Sequence, residues 1–261
     1  MKNGLDAVKR YRARLTRYVD IMRENAGDYK LKEFCELRKL DMNSVKEAGI
    51  FYINEPTEML IPEFFDEVRD FGVIAMNNRP IYNERYVIPI RDLSGQVMGM
   101  VGYKHGVVEK YMYATPKYFM RGDAVYGLEN FKDILDSGYA IIAEGIMDRV
   151  RIKSLGFKNS IATCGADKSW ERMLLFSGIK KCIFIPDRDR AGMNTDYHWK
   201  SDTMLRILLP DTFKDIDEFA SQNDRTAEFC QEILEDAAEY LNTDMVEGMK
   251  ETIDIKKLLQ V

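Results

Sequence analysis

Cysteine is scarce and scattered in this sequence. Cys35, Cys164, Cys182 and Cys230 lie far apart and never form a CxxC pair, so neither a zinc ribbon nor a disulfide framework is expected, and the four read as reduced core thiols. Histidine is scarcer still: His105 and His198 are the only two, and they form no ligand cluster in sequence. Long apolar runs are missing. No stretch approaches the roughly 20 residues of a membrane span, and Met1 to Asp6 has no apolar leader core, so a cytoplasmic protein with no membrane partner is expected. An excess of positive charge is missing too, since the formal net charge is −5, unlike a general nucleic-acid coat protein.

What is present is a hydrophobic fraction of 46% in 261 residues, enough for a sizeable core in one large or two modest domains. Charge is unevenly spread. Lys and Arg outnumber Asp and Glu over residues 1–50, and the reverse holds over residues 224–261. The informative stretch runs from Tyr139 to Asp217. An apolar run, Tyr139 to Ala143, stops on Glu144-Gly145, with Asp148 three residues later. A second run, Cys182 to Pro186, delivers Asp187 and Asp189, and a third, Leu205 to Pro210, leads to Asp215 and Asp217. Open parallel sheets place their chemistry at the carboxyl ends of strands. A helix starting after Gly145 would put Glu144 at its mouth and Asp148 in its first turn, and Asp187 and Asp189 in an extended segment would point to one side. Carboxylates so crowded repel one another unless a cation neutralises them, and a hard divalent ion suits oxygen ligands and phosphate substrates.

Glu144-Gly145-Ile146-Met147-Asp148, followed by Ile185-Pro186-Asp187-Arg188-Asp189-Arg190-Ala191-Gly192, resembles the TOPRIM domain of DnaG-type primases. Ser160 to Gly165 is similar to that family's second strand and glycine turn, and Lys214-Asp215-Ile216-Asp217-Glu218-Phe219 to its Asp-Pro-Asp segment, with Ile216 in place of the proline. The resemblance implies an α/β fold, a TOPRIM parallel sheet covered by helices and preceded by a mixed α+β basic subdomain. It implies Mg2+ or Mn2+ held by Glu144, Asp148, Asp187, Asp189, Asp215 and Asp217, with Glu144, Asp187 and Asp189 as catalytic groups, and no zinc. The implied activity is primase-type nucleotidyl transfer: short RNA primers made from ribonucleoside triphosphates on a single-stranded DNA template. The rivals are a TOPRIM metal-dependent nuclease and a non-catalytic TOPRIM nucleic-acid-binding factor of replication or recombination. The short chain without a zinc ribbon looks more like a phage-encoded primase, working in the host cytoplasm with a replicative helicase or a separate zinc-binding subunit.

Residues 5–25 read as an amphipathic helix whose Lys9, Arg10, Arg12, Arg14 and Arg17 fit two readings, a track for a nucleic-acid backbone and a solvated charged face. Arg85 to Ile90 and Gly95 to Tyr103 read as a hairpin turning at Asp92-Leu93-Ser94-Gly95. On the resemblance, Arg85, Lys104, Lys117 and Arg121 take the places of basic residues that hold nucleotide or template. From Asp133 strands and helices alternate, with helices expected over 169–176 and 192–203, and further helices over 226–241 and 246–259. The expected divisions are 1–132, a basic α+β subdomain, 133–222, the TOPRIM domain, and 223–261, an acidic helical segment.

Overall fold

The computed structural model describes residues 2–75, 77, 79–114, 116–119, 124–164, 173–174, 177–188, 203–243 and 250–258. Two units divide the chain, Met1–Ala124 and Val125–Val261. The division precedes the expected boundary at 132 because the next segment belongs to the second unit: Tyr126 and Ala162 exchange backbone hydrogen bonds of 2.9 Å in both directions.

In the first unit, helix α1 (Lys2–Ala26) buries Leu15, Tyr18, Val19 and Met22, spaced i, i+3, i+4 and i+7, against Phe51, Phe64, Phe71, Val87 and Met100. Three of its basic residues are engaged within the unit. Arg12 pairs with Asp92 at 2.8 Å, Arg14 with Glu63 and Glu67 while lying over the Phe64 ring, and Arg17 with Glu63. Such half-exposed pairs contribute about 0–1 kcal/mol each, so they orient the helix more than they stabilise it. Strands β1 (Phe51–Ile53), β2 (Arg85–Arg91), β3 (Val97–Tyr103) and β4 (Tyr111–Tyr113) form an antiparallel sheet in that order. The expected hairpin is β2–β3. Its turn is held by the Asp92 carboxylate, which accepts from the amides of Ser94 and Gln96, and by Gly95 at φ +80°. Register sets Tyr52, Tyr86, Tyr103 and Tyr111 in one row across the four strands, under Phe34 of α2 (Leu31–Arg38). Helix α3 (Met42–Glu47) is capped by Asp41, which accepts from Ser44 N at 2.9 Å.

The second unit is built on five parallel strands, β5 (Tyr139–Ala143), β6 (Ser160–Ala162), β7 (Lys181–Ile185), β8 (Thr203–Leu208) and β9 (Lys250–Asp254), in the order β6-β5-β7-β8-β9. Every residue of β5 is buried, the mark of a central strand covered on both faces. Tyr139, Ile141, Ala143, Ile183, Ile185, Leu205 and Ile207 share one core with Cys230, Ile233, Leu234, Ala237 and Leu241 of the helix Asp224–Leu241. Each such aliphatic side chain, fully buried, contributes roughly 1.5–3 kcal/mol. This helix, capped by Asn223 and Thr226, is therefore a packing helix with an acidic outer face. Burial pushes the Cys230 thiol up to about 12, which keeps it protonated and inert.

One expectation fails here. Of the helix expected over 246–259, the described residues form instead a strand, Lys250–Asp254, parallel to β8, followed by a short helix, Ile255–Leu258. The adjacent β-branched pair Thr252-Ile253 suits an extended backbone, and the open edge of β8 supplies its hydrogen-bond partners. The acidic segment is thus part of the sheet rather than an appendage. The helices expected over 169–176 and 192–203 fall almost wholly outside the described residues. No described helix is long and apolar enough to cross a membrane.

Candidate active site

Parallel pairing brings the ends of β5, β7 and β8 to one edge. Ala143 lies beside Ile185, so the next residues of each chain, Glu144 and the Pro186-Asp187 pair, emerge from neighbouring strands. Two helices flank β5, α4 (Phe131–Ser137) before it and α5 (Ile146–Ser154) after it, and α5 starts immediately after Glu144-Gly145. Asp148, only 5% exposed, turns back over this start: its Oδ2 accepts from Gly145 N at 3.1 Å. Gly145 has an ordinary negative φ, and what requires glycine is space, since a Cβ there would run into Asp148 Oδ2. Gly145→Ala should therefore push the Asp148 carboxylate off the helix start, with a loss of about 1 kcal/mol in urea unfolding, the size of a lost cap.

Asp148 also reaches the third strand's exit. Its Oδ1 accepts from Asp217 N at 3.2 Å, in the short helix Ile216–Ala220, which Asp215 caps by accepting from Glu218 N at 2.8 Å. The Asp217 carboxylate points elsewhere: Arg151 Nε donates to its Oδ1 at 3.0 Å, both side chains being 5% exposed. Lys214 Nζ stands 3.1 Å from Asp187 Oδ2, and Lys214 O accepts from Arg188 N at 2.6 Å, which stitches the two carboxylate-bearing segments together. Burial alone would lower the Lys214 pKa. Asp187, Asp215 and Asp148 outweigh it and hold the ammonium above the usual lysine value.

The structure thus brings Glu144, Asp148, Asp187, Asp215 and Asp217 to adjoining strand exits, but gives Asp148, Asp187, Asp215 and Asp217 protein donors as partners. Asp189 lies outside the described residues. Among the described residues no group of three or more His, Cys, Asp or Glu side chains is placed to hold a metal ion. The basic residues lie in the first unit. Arg85, 9% exposed, donates to the carbonyls of Glu109 and Lys110 at 3.1 and 3.2 Å, and burial lowers its pKa. Lys104 pairs with Glu84 at 2.7 Å, and the half-exposed Lys117 pairs with Asp70 at 2.9 Å; Arg121 lies outside the described residues.

Sequence reasoning missed Lys214 and Arg151. Arg151 carried a signal only in its spacing, three residues after Asp148 on the same helix; that its guanidinium is buried and needs an acid shows only in the fold. Lys214 carried none beyond its place before Asp215.

No family model matches the chain. It is 34% identical over 124 residues to the DNA primase of Aquifex aeolicus, covering 44% of this chain and 24% of that protein. With the DNA primase of Escherichia coli K12 the identity is 30% over 163 residues, 57% of this chain and 26% of that one. The chain therefore spans about a quarter of the length of these relatives. Among solved structures, the zinc-binding and RNA polymerase domains of Aquifex aeolicus primase superpose with a TM-score of 0.73 at 21% identity, over 87% of this chain and 60% of that one. A DnaG primase catalytic domain bound to ssDNA gives 0.70 at 20% identity, over 87% and 80%. Over 87% of its length the chain has the fold of the DnaG primase catalytic core, and over 44–57% of it the sequence is similar to those DNA primases.

Proposed function

We propose that this chain makes short RNA primers on single-stranded DNA, joining ribonucleoside triphosphates by attack of a 3′-hydroxyl on an α-phosphate with loss of pyrophosphate. The observation that carries the reading is the convergence of Glu144 and Asp187 at the exits of adjacent parallel strands of a primase-core fold. Glu144 and Asp187, with Asp189 beside them in sequence, are the groups that would hold Mg2+ or Mn2+. Their donors are carboxylate oxygens, the class such ions take, and Asp187 already has one cation against it, the Lys214 ammonium. A bound ion would supply charge neutralisation at the triphosphate. The chain's own contribution is placement: Asp148 fixes the start of α5 beside Glu144 and the exit of β8, which Lys214 O ties to Arg188 N beside Asp187. Lys104, Lys117 and Arg121 are proposed to contact phosphates of template or nucleotide. Arg85, turned to backbone carbonyls, is proposed to shape the β3–β4 connection that Lys104 begins.

The test supplies the purified chain with single-stranded DNA, Mg2+ or Mn2+ and labelled ribonucleotides, and resolves the products on a sequencing gel. Short RNA oligomers, absent from Asp187→Asn, are expected. Shortened DNA would replace this reading with a nuclease, and DNA binding without products would replace it with a binding module.

A further inference from the structure

Lys214 is the cation that the carboxylate cluster supplies for itself. Its ammonium lies 3.1 Å from Asp187 Oδ2, and the Asp187 side chain is only 14% exposed whereas that of Lys214 is 57% exposed. The lysine backbone is fixed at both ends. Its carbonyl accepts from Arg188 N at 2.6 Å, and its own N–H donates to Glu218 Oε2 at 2.8 Å. The side chain, by contrast, can swing into solvent while its backbone stays in place. We infer that Lys214 is the resident counter-ion of Asp187, and that a divalent ion enters this site by displacing the lysine ammonium.

This rests on the proposed metal role of Asp187. An ammonium and a divalent ion at the same carboxylate repel one another and compete for its charge, so metal entry becomes an exchange of cations rather than the filling of an unbalanced acidic pocket. The exchange has a direct consequence. Lys214 weakens metal binding while keeping the carboxylates compatible with one another in its absence. It also leaves a mobile positive charge beside the site once the metal is in, within the same loop as Asp215.

The experiment measures Mn2+ affinity of the full chain by calorimetry and by the electron paramagnetic resonance of free Mn2+, together with thermal unfolding in EDTA. Wild type, Lys214→Met, Lys214→Arg and Asp187→Asn are compared without any nucleotide. Lys214→Met is expected to bind Mn2+ about five- to twentyfold more tightly, the effect of one half-exposed unit charge removed from beside Asp187. It should also melt lower in EDTA, with Mn2+ restoring the loss, and Lys214→Arg should follow wild type. Wild-type binding with an unchanged Lys214→Met constant overturns the inference and leaves the metal site standing. Absence of Mn2+ binding in wild type, or binding that survives Asp187→Asn undiminished, overturns both the inference and the metal role of Asp187.

Discussion

On the proposed function, Asp187→Asn and Glu144→Gln should each reduce primer synthesis about 10²–10⁴-fold while leaving the fold intact, the range expected when a group engaged in the reaction is removed. The fold survives for reasons visible in the structure. Both residues follow strands whose buried residues are apolar, Tyr139 to Ala143 and Cys182 to Ile185, and neither substitution changes side-chain size or empties the core. Asparagine at 187 still faces Lys214 through its amide oxygen, so no buried cation is stranded. Loss of activity with an unchanged circular dichroism spectrum and melting curve is therefore the expected result. Mn2+ affinity should fall with activity in Asp187→Asn. Full primer yield from either variant would remove these two residues from the site and with them the proposed chemistry.

The parallel sheet and its acidic exits were legible because strands buried on both faces read as unbroken apolar runs, and because each run ends abruptly on a carboxylate: Ala143-Glu144 and Pro186-Asp187. The hairpin was legible from its turn chemistry, Asp92 and Gly95. Two things were not. β9 was hidden because an edge strand is defined by its neighbour, β8, which pairs with it across a long stretch of chain. The division of labour among the carboxylates was hidden because sequence gives proximity along the chain and not the direction of a side chain. Asp148 and Asp217 read as ligands in a motif, and only the fold shows that they also accept from Gly145 N, Asp217 N and Arg151 Nε. The α1 arginines show the same limit: Arg12, Arg14 and Arg17 read as a basic face, and their partners Asp92, Glu63 and Glu67 come from distant segments.

Arg151→Ala should be the most destabilising single change near the site. The Arg151–Asp217 pair is buried on both sides, and removing the guanidinium leaves the Asp217 carboxylate in a pocket only 5% open to water. Breaking a buried pair from one side costs about 3–5 kcal/mol, against about 0–1 kcal/mol for the exposed pairs of α1. The melting temperature should fall on the order of 10 °C. Replacing both partners by apolar residues of similar volume, Arg151→Met with Asp217→Leu, removes both charges at once and should recover most of the loss. The backbone bond from Asp217 N to Asp148 Oδ1 is available in all these variants, so the exit of β8 stays tied to α5. The pair of measurements separates two roles for Asp217. If its carboxylate serves the Arg151 pair, the double variant regains stability and keeps its Mn2+ affinity. If it is a metal ligand as well, the double variant regains stability and loses Mn2+ affinity about tenfold or more, and Asp217 returns to the metal set.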